Sequence, residues 1–145
     1  MKKLTESEII NIVSNIRNIT KKYILDNKLR SLVIGVSGGV DSAFDCALLK
    51  SVCDELGIPL IGRSITIESN KIDEIERARN IGKHFCTDFK EVDLSDQFNI
   101  LKEFDEMEGG IDYSIPYKIR MGNIKARMRM IYLYNLASRT GGLVL

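Results

Sequence analysis

The chain has 145 residues, 44% of them hydrophobic, with 21 Lys and Arg against 20 Asp and Glu. That length suits one domain over residues 1–145, with enough apolar side chains to close an ordinary core. The near-zero net charge and the lack of a basic run argue against a nucleic-acid partner. Nothing resembles a signal peptide or a membrane span, so the expectation is a soluble cytoplasmic protein with no membrane partner.

Thr5 and Glu8 have the spacing of a capping box, and Ile9, Ile12, Val13, Ile16, Ile19 and Tyr23 follow at helical period. They predict an amphipathic helix ending near Asp26-Asn27. Leu32-Val33-Ile34-Gly35-Val36 is a continuous apolar run rich in β-branched residues, the pattern of a strand buried on both faces of a parallel sheet. After a glycine-rich loop, a helix is predicted from Ala43 to Leu56, stopped by Gly57 with Pro59 beyond it. Leu60 to Ile65 reads as a second strand, followed by a polar turn at Glu68-Ser69-Asn70. The next helix is expected to carry Ile72, Ile75, Ala78 and Ile81 inward, with Gly82 near its end.

Phe89 to Val92 reads as a third strand, and Asp93 to Met107 as partly helical. Glu108-Gly109-Gly110 breaks that pattern, and a loop through Pro116 leads into a long helix from about Lys118 to Ser138. Gly142-Leu143-Val144-Leu145 opens one more buried strand. Strands alternating with helices of crossover length define the α/β class, an open parallel sheet flanked by helices.

Cys46, Cys53 and Cys86 form no CxxC pair and the chain has a single histidine, which argues against a disulfide framework and a zinc site. Cys46 and Cys53, two helical turns apart, read as small buried hydrophobes, and His84 as a surface residue. No protein nucleophile or general base is identified.

The loop Ser37-Gly38-Gly39-Val40-Asp41-Ser42 lies between a buried strand and a helix, at the carboxyl edge where open α/β sheets bind ligands. Gly38 and Gly39 free the backbone, and its N–H groups with the positive end of the next helix form a phosphate site. Ser37 and Ser42 add hydroxyls. Asp41 would repel phosphates unless a cation lies between, and its best use is to hold Mg²⁺. The alternative is a tight turn with Asp41 as a helix cap. Neither a Walker A pattern nor a dinucleotide GxGxxG pattern is present.

Gly35-Val36-Ser37-Gly38-Gly39-Val40-Asp41-Ser42 resembles the signature of the N-type ATP pyrophosphatases, a group with a Rossmann-like fold. The resemblance implies a loop that grips the pyrophosphate of ATP while a substrate oxygen attacks the α-phosphorus. A second segment, Gly122-Asn123-Ile124-Lys125-Ala126-Arg127-Met128-Arg129-Met130, is similar to the Gly-Asn-x-x-Ala-Arg-x-Arg-Met segment of NAD synthetases. Tyr132-Leu133-Tyr134 and Ala137 follow as they do there. Within this helix Ala126, Met130, Leu133, Tyr134 and Ala137 read as the apolar stripe packing on the sheet. Asn123 and Arg127 share one face, and Lys125, Arg129 and Tyr132 another.

The resemblance implies an ammonia-dependent NAD synthetase, a ligase that amidates deamido-NAD through an adenylated intermediate and works as a homodimer. ATP is then the co-substrate and Mg²⁺ the cofactor. Gly35, Val36, Ser37, Gly38, Gly39, Val40, Asp41, Ser42 and Arg63 would meet ATP, with Asp41 on the metal. Arg129, Asn123 and Arg127 would meet deamido-NAD, or Arg127 would hold the loop or a neighbouring chain. Ser64-Ile65-Thr66 departs from the family's usual Leu-Pro or Met-Pro, which leaves the adenine contacts unassigned. The family's C-terminal part, with a metal-binding glutamate and further substrate residues, would lie beyond Leu145. With no amidase domain expected, the resemblance implies that free ammonia would be the nitrogen source. Two alternatives stand beside this reading: a catalytically incomplete short homologue that binds nucleotide or dimerises, and another N-type pyrophosphatase acting on a purine or tRNA acceptor.

Overall fold

In the computed structural model, residues 3–68, 71–107 and 116–145 are described. The elements run α1 (Glu6–Asp26), β1 (Leu32–Gly35), α2 (Val40–Leu56), β2 (Leu60–Thr66), α3 (Ile72–Phe85), β3 (Asp88–Asp93), α4 (Ser95–Met107), α5 (Tyr117–Thr140) and β4 (Leu143–Val144). The predicted turn at Ser69-Asn70, the break at Glu108-Gly109-Gly110 and the loop over residues 111–115 lie outside the described residues.

The sheet is parallel throughout, in the order β3-β2-β1-β4. The chain steps outward from β1 to β2 and β3, then returns through α4 and α5 to place β4 on the other side of β1. Between β1 and β4 the strand order therefore reverses, which opens a crevice outside the carboxyl ends of the central strands. The parallel arrangement explains the unbroken apolar runs. Leu32 and Ile34 face a core shared with Ile24 of α1, with α2 and with Ala78 of α3, while Val33, Ile61 and Ile65 face Phe98 of α4 and the buried residues of α5. Helices thus cover both faces, as a parallel sheet requires.

Local signals account for most helix ends. Thr5 and Glu8 close the capping box, with the Thr5 N–H donating to Glu8 Oε2 at 2.7 Å. Gly57 and Gly141 end α2 and α5 in the left-handed conformation, where glycine carries no Cβ penalty. The start of α2 falls at Val40 rather than Ala43, because Gly39 is its extended N-cap and Val40 is too exposed to leave an apolar signal.

Three packing expectations are corrected. The stripe Ile9, Ile12, Ile16, Ile19 and Tyr23 faces solvent, and in α1 only Ile24 is buried. The more covered line of α1 runs through Val13, Thr20, Lys21 and Ile24, and Lys21 pairs with Glu55 of α2. At 100° per residue the apolar stripe is turned roughly a quarter-turn from that line. In α5 the buried residues are Met121, Met128, Leu133 and Ala137, whereas Ala126, Met130 and Tyr134 are exposed. Met130 stands two residues from Met128, so if one meets the sheet the other cannot. In α3, Ile75, Ala78 and Ile81 turn inward, but Ile72 is 76% exposed, since the first helical residue lies beyond the edge of the packed layer.

Candidate functional site

The loop is shaped by contacts that sequence spacing does not reveal. Gly38 has φ +82°, and a Cβ placed there would sit 2.4 Å from the carbonyl oxygen of Glu74, so only glycine lets the loop lie against α3. The Gly39 N–H donates to Ser37 Oγ at 3.2 Å. Ser42 Oγ donates to the Gly39 carbonyl at 3.0 Å and lies 3.1 Å from Ser37 Oγ. The two serine hydroxyls therefore face one another across the mouth of the turn. Behind them starts α2, whose N-terminal N–H groups carry partial positive charge. Asp41 is exposed in its first turn, while the N-cap is Gly39, which makes no side-chain capping bond; Asp41 is not the helix cap.

Ser37, at the start of this turn, borders a crevice of about 530 Å³ at the carboxyl edge of the sheet, whereas Gly38, Gly39, Val40, Asp41 and Ser42 are not among its lining residues. Its floor is Gly35, Val36 and Ser37 of the β1 end and Arg63, Ser64 and Ile65 of β2. Glu74 and Ile75 of α3 form one wall, Ala126, Arg129, Met130 and Leu133 of α5 the other, and Leu145 closes the β4 side. Sequence-predicted residues from the loop, from β2 and from α5 thus meet in one concavity.

The two arginines in it are held differently. Arg129 anchors to the Ile65 carbonyl through Nε at 3.3 Å, and its partial burial pulls its pKa down. Arg63 is 4% exposed and turns its guanidinium along the sheet, with Nη2 on Asp88 Oδ2 at 2.8 Å and Nη1 on the Gly62 carbonyl at 2.8 Å. The guanidinium in turn holds the Asp88 carboxyl below its usual range, through the hydrogen bond first and the charge second. Asn123 and Arg127 lie together on the exposed face of α5 and do not line the crevice.

Two further contacts, from Arg77 to Gly38 and from Lys125 to Glu68, tie distant segments together beside the crevice. Arg77 of α3 donates through Nε to the Gly38 carbonyl at 3.1 Å and through Nη1 to Asp73 at 2.8 Å. Glu68, at φ 65° just past β2, receives Lys125 of α5 at 2.5 Å. Both contacts join segments far apart in sequence, and no local pattern announces them.

Cys46 and Cys53 are fully buried in the α2 core. Cys86, as a hydrogen-bond partner, and burial push the Cys46 thiol up, and burial pushes Cys53 up to about 11. Such thiols pack as apolar groups and make poor nucleophiles. No three His, Cys, Asp or Glu side chains cluster as metal ligands among the described residues. The exposed Asp41 carboxylate is of the kind that would suit Mg²⁺ arriving on phosphate oxygens, since that ion commonly takes one or two carboxylates and completes its shell from phosphate and water.

A doubly covered parallel sheet with a glycine-rich strand–loop–helix turn at its switch point is the class of protein these features define. The chain belongs to the NAD synthase family, whose model matches residues 12–145. It is 34% identical over 125 residues to the NH(3)-dependent NAD(+) synthetase of Finegoldia magna, covering 86% of this chain and 47% of that protein. Its fold is similar to that of NAD+ synthetase from Burkholderia pseudomallei, with a TM-score of 0.78, 23% identity and coverage of 91% of this chain and 59% of that one. It is also similar to NMN synthetase from Francisella tularensis, with a TM-score of 0.74, 21% identity, 91% of this chain and 51% of that one. The chain spans about half the length of the curated relatives it matches. No helix among the described residues is long and apolar enough to cross a membrane.

Proposed function

We propose that this chain binds ATP with Mg²⁺ in the β1–α2 turn and serves the ammonia-dependent amidation of deamido-NAD in the cytoplasm, with residues 1–145 belonging to a single domain. The observation that carries the reading is the convergence of Gly35, Val36 and Ser37, at the start of the turn, with Arg63 and Arg129 on one crevice, in a chain of this family. In the reaction a carboxylate oxygen of deamido-NAD attacks the α-phosphorus and pyrophosphate leaves. Ammonia then attacks the acyl carbon and AMP leaves. The turn would hold the departing pyrophosphate on its N–H groups and hydroxyls, with Asp41 sharing Mg²⁺ between phosphates. Such catalysis is positioning and charge stabilisation, and asks for no protein nucleophile. Arg129 offers its guanidinium to a phosphate of the acceptor. Arg63 fits a role beneath the adenosine, and Asn123 with Arg127, on an exposed face, fits the substrate or a partner chain better than the crevice floor.

A homodimer is part of this reading. Ile12, Ile16, Ile19 and Tyr23 leave an apolar seam on α1, and α5 exposes Ile131 and Tyr134. Contiguous exposed apolar surface of this kind commonly marks a protein interface.

The test is pyrophosphate and NAD formation from ATP, Mg²⁺, ammonium and deamido-NAD, with nicotinate mononucleotide as a competing acceptor because an NMN synthetase shares the fold. Formation of NAD supports the proposal. ATP binding without turnover supports the incomplete short homologue instead. Pyrophosphate release only with a purine or tRNA acceptor overturns the assignment of substrate.

A further inference from the structure

The phosphate turn is held in one peptide orientation by a residue outside it. The Gly38 carbonyl points at α3 and accepts from Arg77 Nε at 3.1 Å. In a trans peptide the carbonyl of one residue and the N–H of the next point in opposite directions. Fixing the Gly38 carbonyl toward α3 therefore fixes the Gly39 N–H away from it, into the hollow of the turn, where Ser37 Oγ now accepts it at 3.2 Å. A glycine at φ +82° beside a second glycine is free to flip that peptide, which would present a carbonyl oxygen to an incoming phosphate.

We infer that Arg77 is a positioning residue that keeps the Gly38–Gly39 peptide in its anion-receptive orientation. The inference rests on the reading of the turn as a pyrophosphate cradle and adds the group that sets it. Asp73, one helical turn earlier, orients the guanidinium through Nη1 at 2.8 Å. The close seat of Gly38 on the Glu74 carbonyl brings the turn within reach of Arg77. Arg77 is itself half-exposed, with 52% of its side chain accessible, so it is poorly placed to contribute to the core and well placed to act on the turn.

The experiment is calorimetric titration of Arg77→Gln, Arg77→Lys and Asp73→Asn with ATP, inorganic pyrophosphate and adenosine, beside thermal melts. Arg77→Gln is expected to weaken ATP and pyrophosphate by about five- to tenfold, the loss of one charge-assisted hydrogen bond. Adenosine binding and the melting temperature should hold. Arg77→Lys, which can still donate to the Gly38 carbonyl but not in the same fork, should fall between wild type and Gln, and Asp73→Asn should lose about twofold. Unchanged pyrophosphate affinity in Arg77→Gln overturns the inference. A parallel fall in ATP, adenosine and melting temperature that Arg77→Lys does not repair also overturns it, by making Arg77 a structural brace. If wild type itself binds neither ATP nor pyrophosphate, the cradle reading fails and takes the inference with it.

Discussion

Gly38 and Asp88 show how single residues set the site. Gly38 meets two constraints together, a left-handed φ of +82° and a Glu74 carbonyl 2.4 Å from where a Cβ would stand. Gly38→Ala should cost about 1–3 kcal/mol for the backbone alone, with the steric conflict added. Urea denaturation should show the lower midpoint and titration with pyrophosphate the lost binding; a variant with wild-type stability would mean that the turn moves freely off α3. Asp88 provides a different check, through pH. The Arg63 guanidinium lowers its folded pKa, so its contribution is present above the unfolded value near 3.9 and is lost as the pH falls through the folded value. Wild type should therefore lose stability steadily below about pH 5, while Asp88→Asn starts lower at neutral pH, with buried Arg63 deprived of its carboxylate, and falls less. Urea midpoints between pH 6 and 2.5 measure this. Parallel curves for the two proteins would refute the coupling.

At the scale of elements, α1 separates what a pattern carries from what it omits. The capping box and the 3.6-residue period were sufficient for the helix and its end at Asp26, because both are local. Periodicity marks an apolar face without naming the surface that covers it, and here Ile9, Ile12, Ile16, Ile19 and Tyr23 are exposed. The same limit applied to α5, where a basic, mixed sequence offers several stripes and only the one centred on Met128 reaches the sheet. Strands β1 and β2 were legible because burial on both faces leaves an unbroken apolar run, whereas β3, an edge strand with Lys90 and Glu91 exposed, was marked mainly by Phe89 and Val92. The strand–loop–helix setting of the Ser37–Ser42 turn was legible from its residues, but its contacts with Arg77 and Glu74 join the turn to a distant helix, which no motif spans. The α1 seam yields a prediction. If the proposed dimer forms through this seam, the double variant Ile12→Glu, Ile19→Glu should be a monomer by light scattering under conditions where wild type self-associates, with helix content kept and monomer stability within about 0.5 kcal/mol, as for other exposed positions. A wild type that is monomeric at tens of micromolar would refute the dimer, and a variant that still dimerises would move the interface elsewhere.

For the whole molecule, the placement of the crevice matters more than any single contact. It lies where the strand order reverses, and its parts come from β1, β2, α3 and α5, so a ligand there ties together layers from both faces of the sheet. Binding to the folded state alone stabilises it by mass action, by about 2.7 kcal/mol at a ligand concentration one hundred times Kd. For a chain of this size that corresponds to a rise in melting temperature of roughly 5–10 °C. ATP with Mg²⁺ should produce that rise, and pyrophosphate with Mg²⁺ a large part of it. AMP, which brings no pyrophosphate to the turn, should produce little. Chelating the metal should reduce the ATP effect, because the Asp41 carboxylate then faces the phosphates with no cation between them. Asp41→Asn separates the two roles of that residue: it should bind ATP about equally with and without Mg²⁺, since the repulsion and the metal ligand are removed together. Equal shifts with AMP and ATP would show that the turn does not recognise pyrophosphate. An undiminished Mg²⁺ effect in Asp41→Asn would place the metal on other groups.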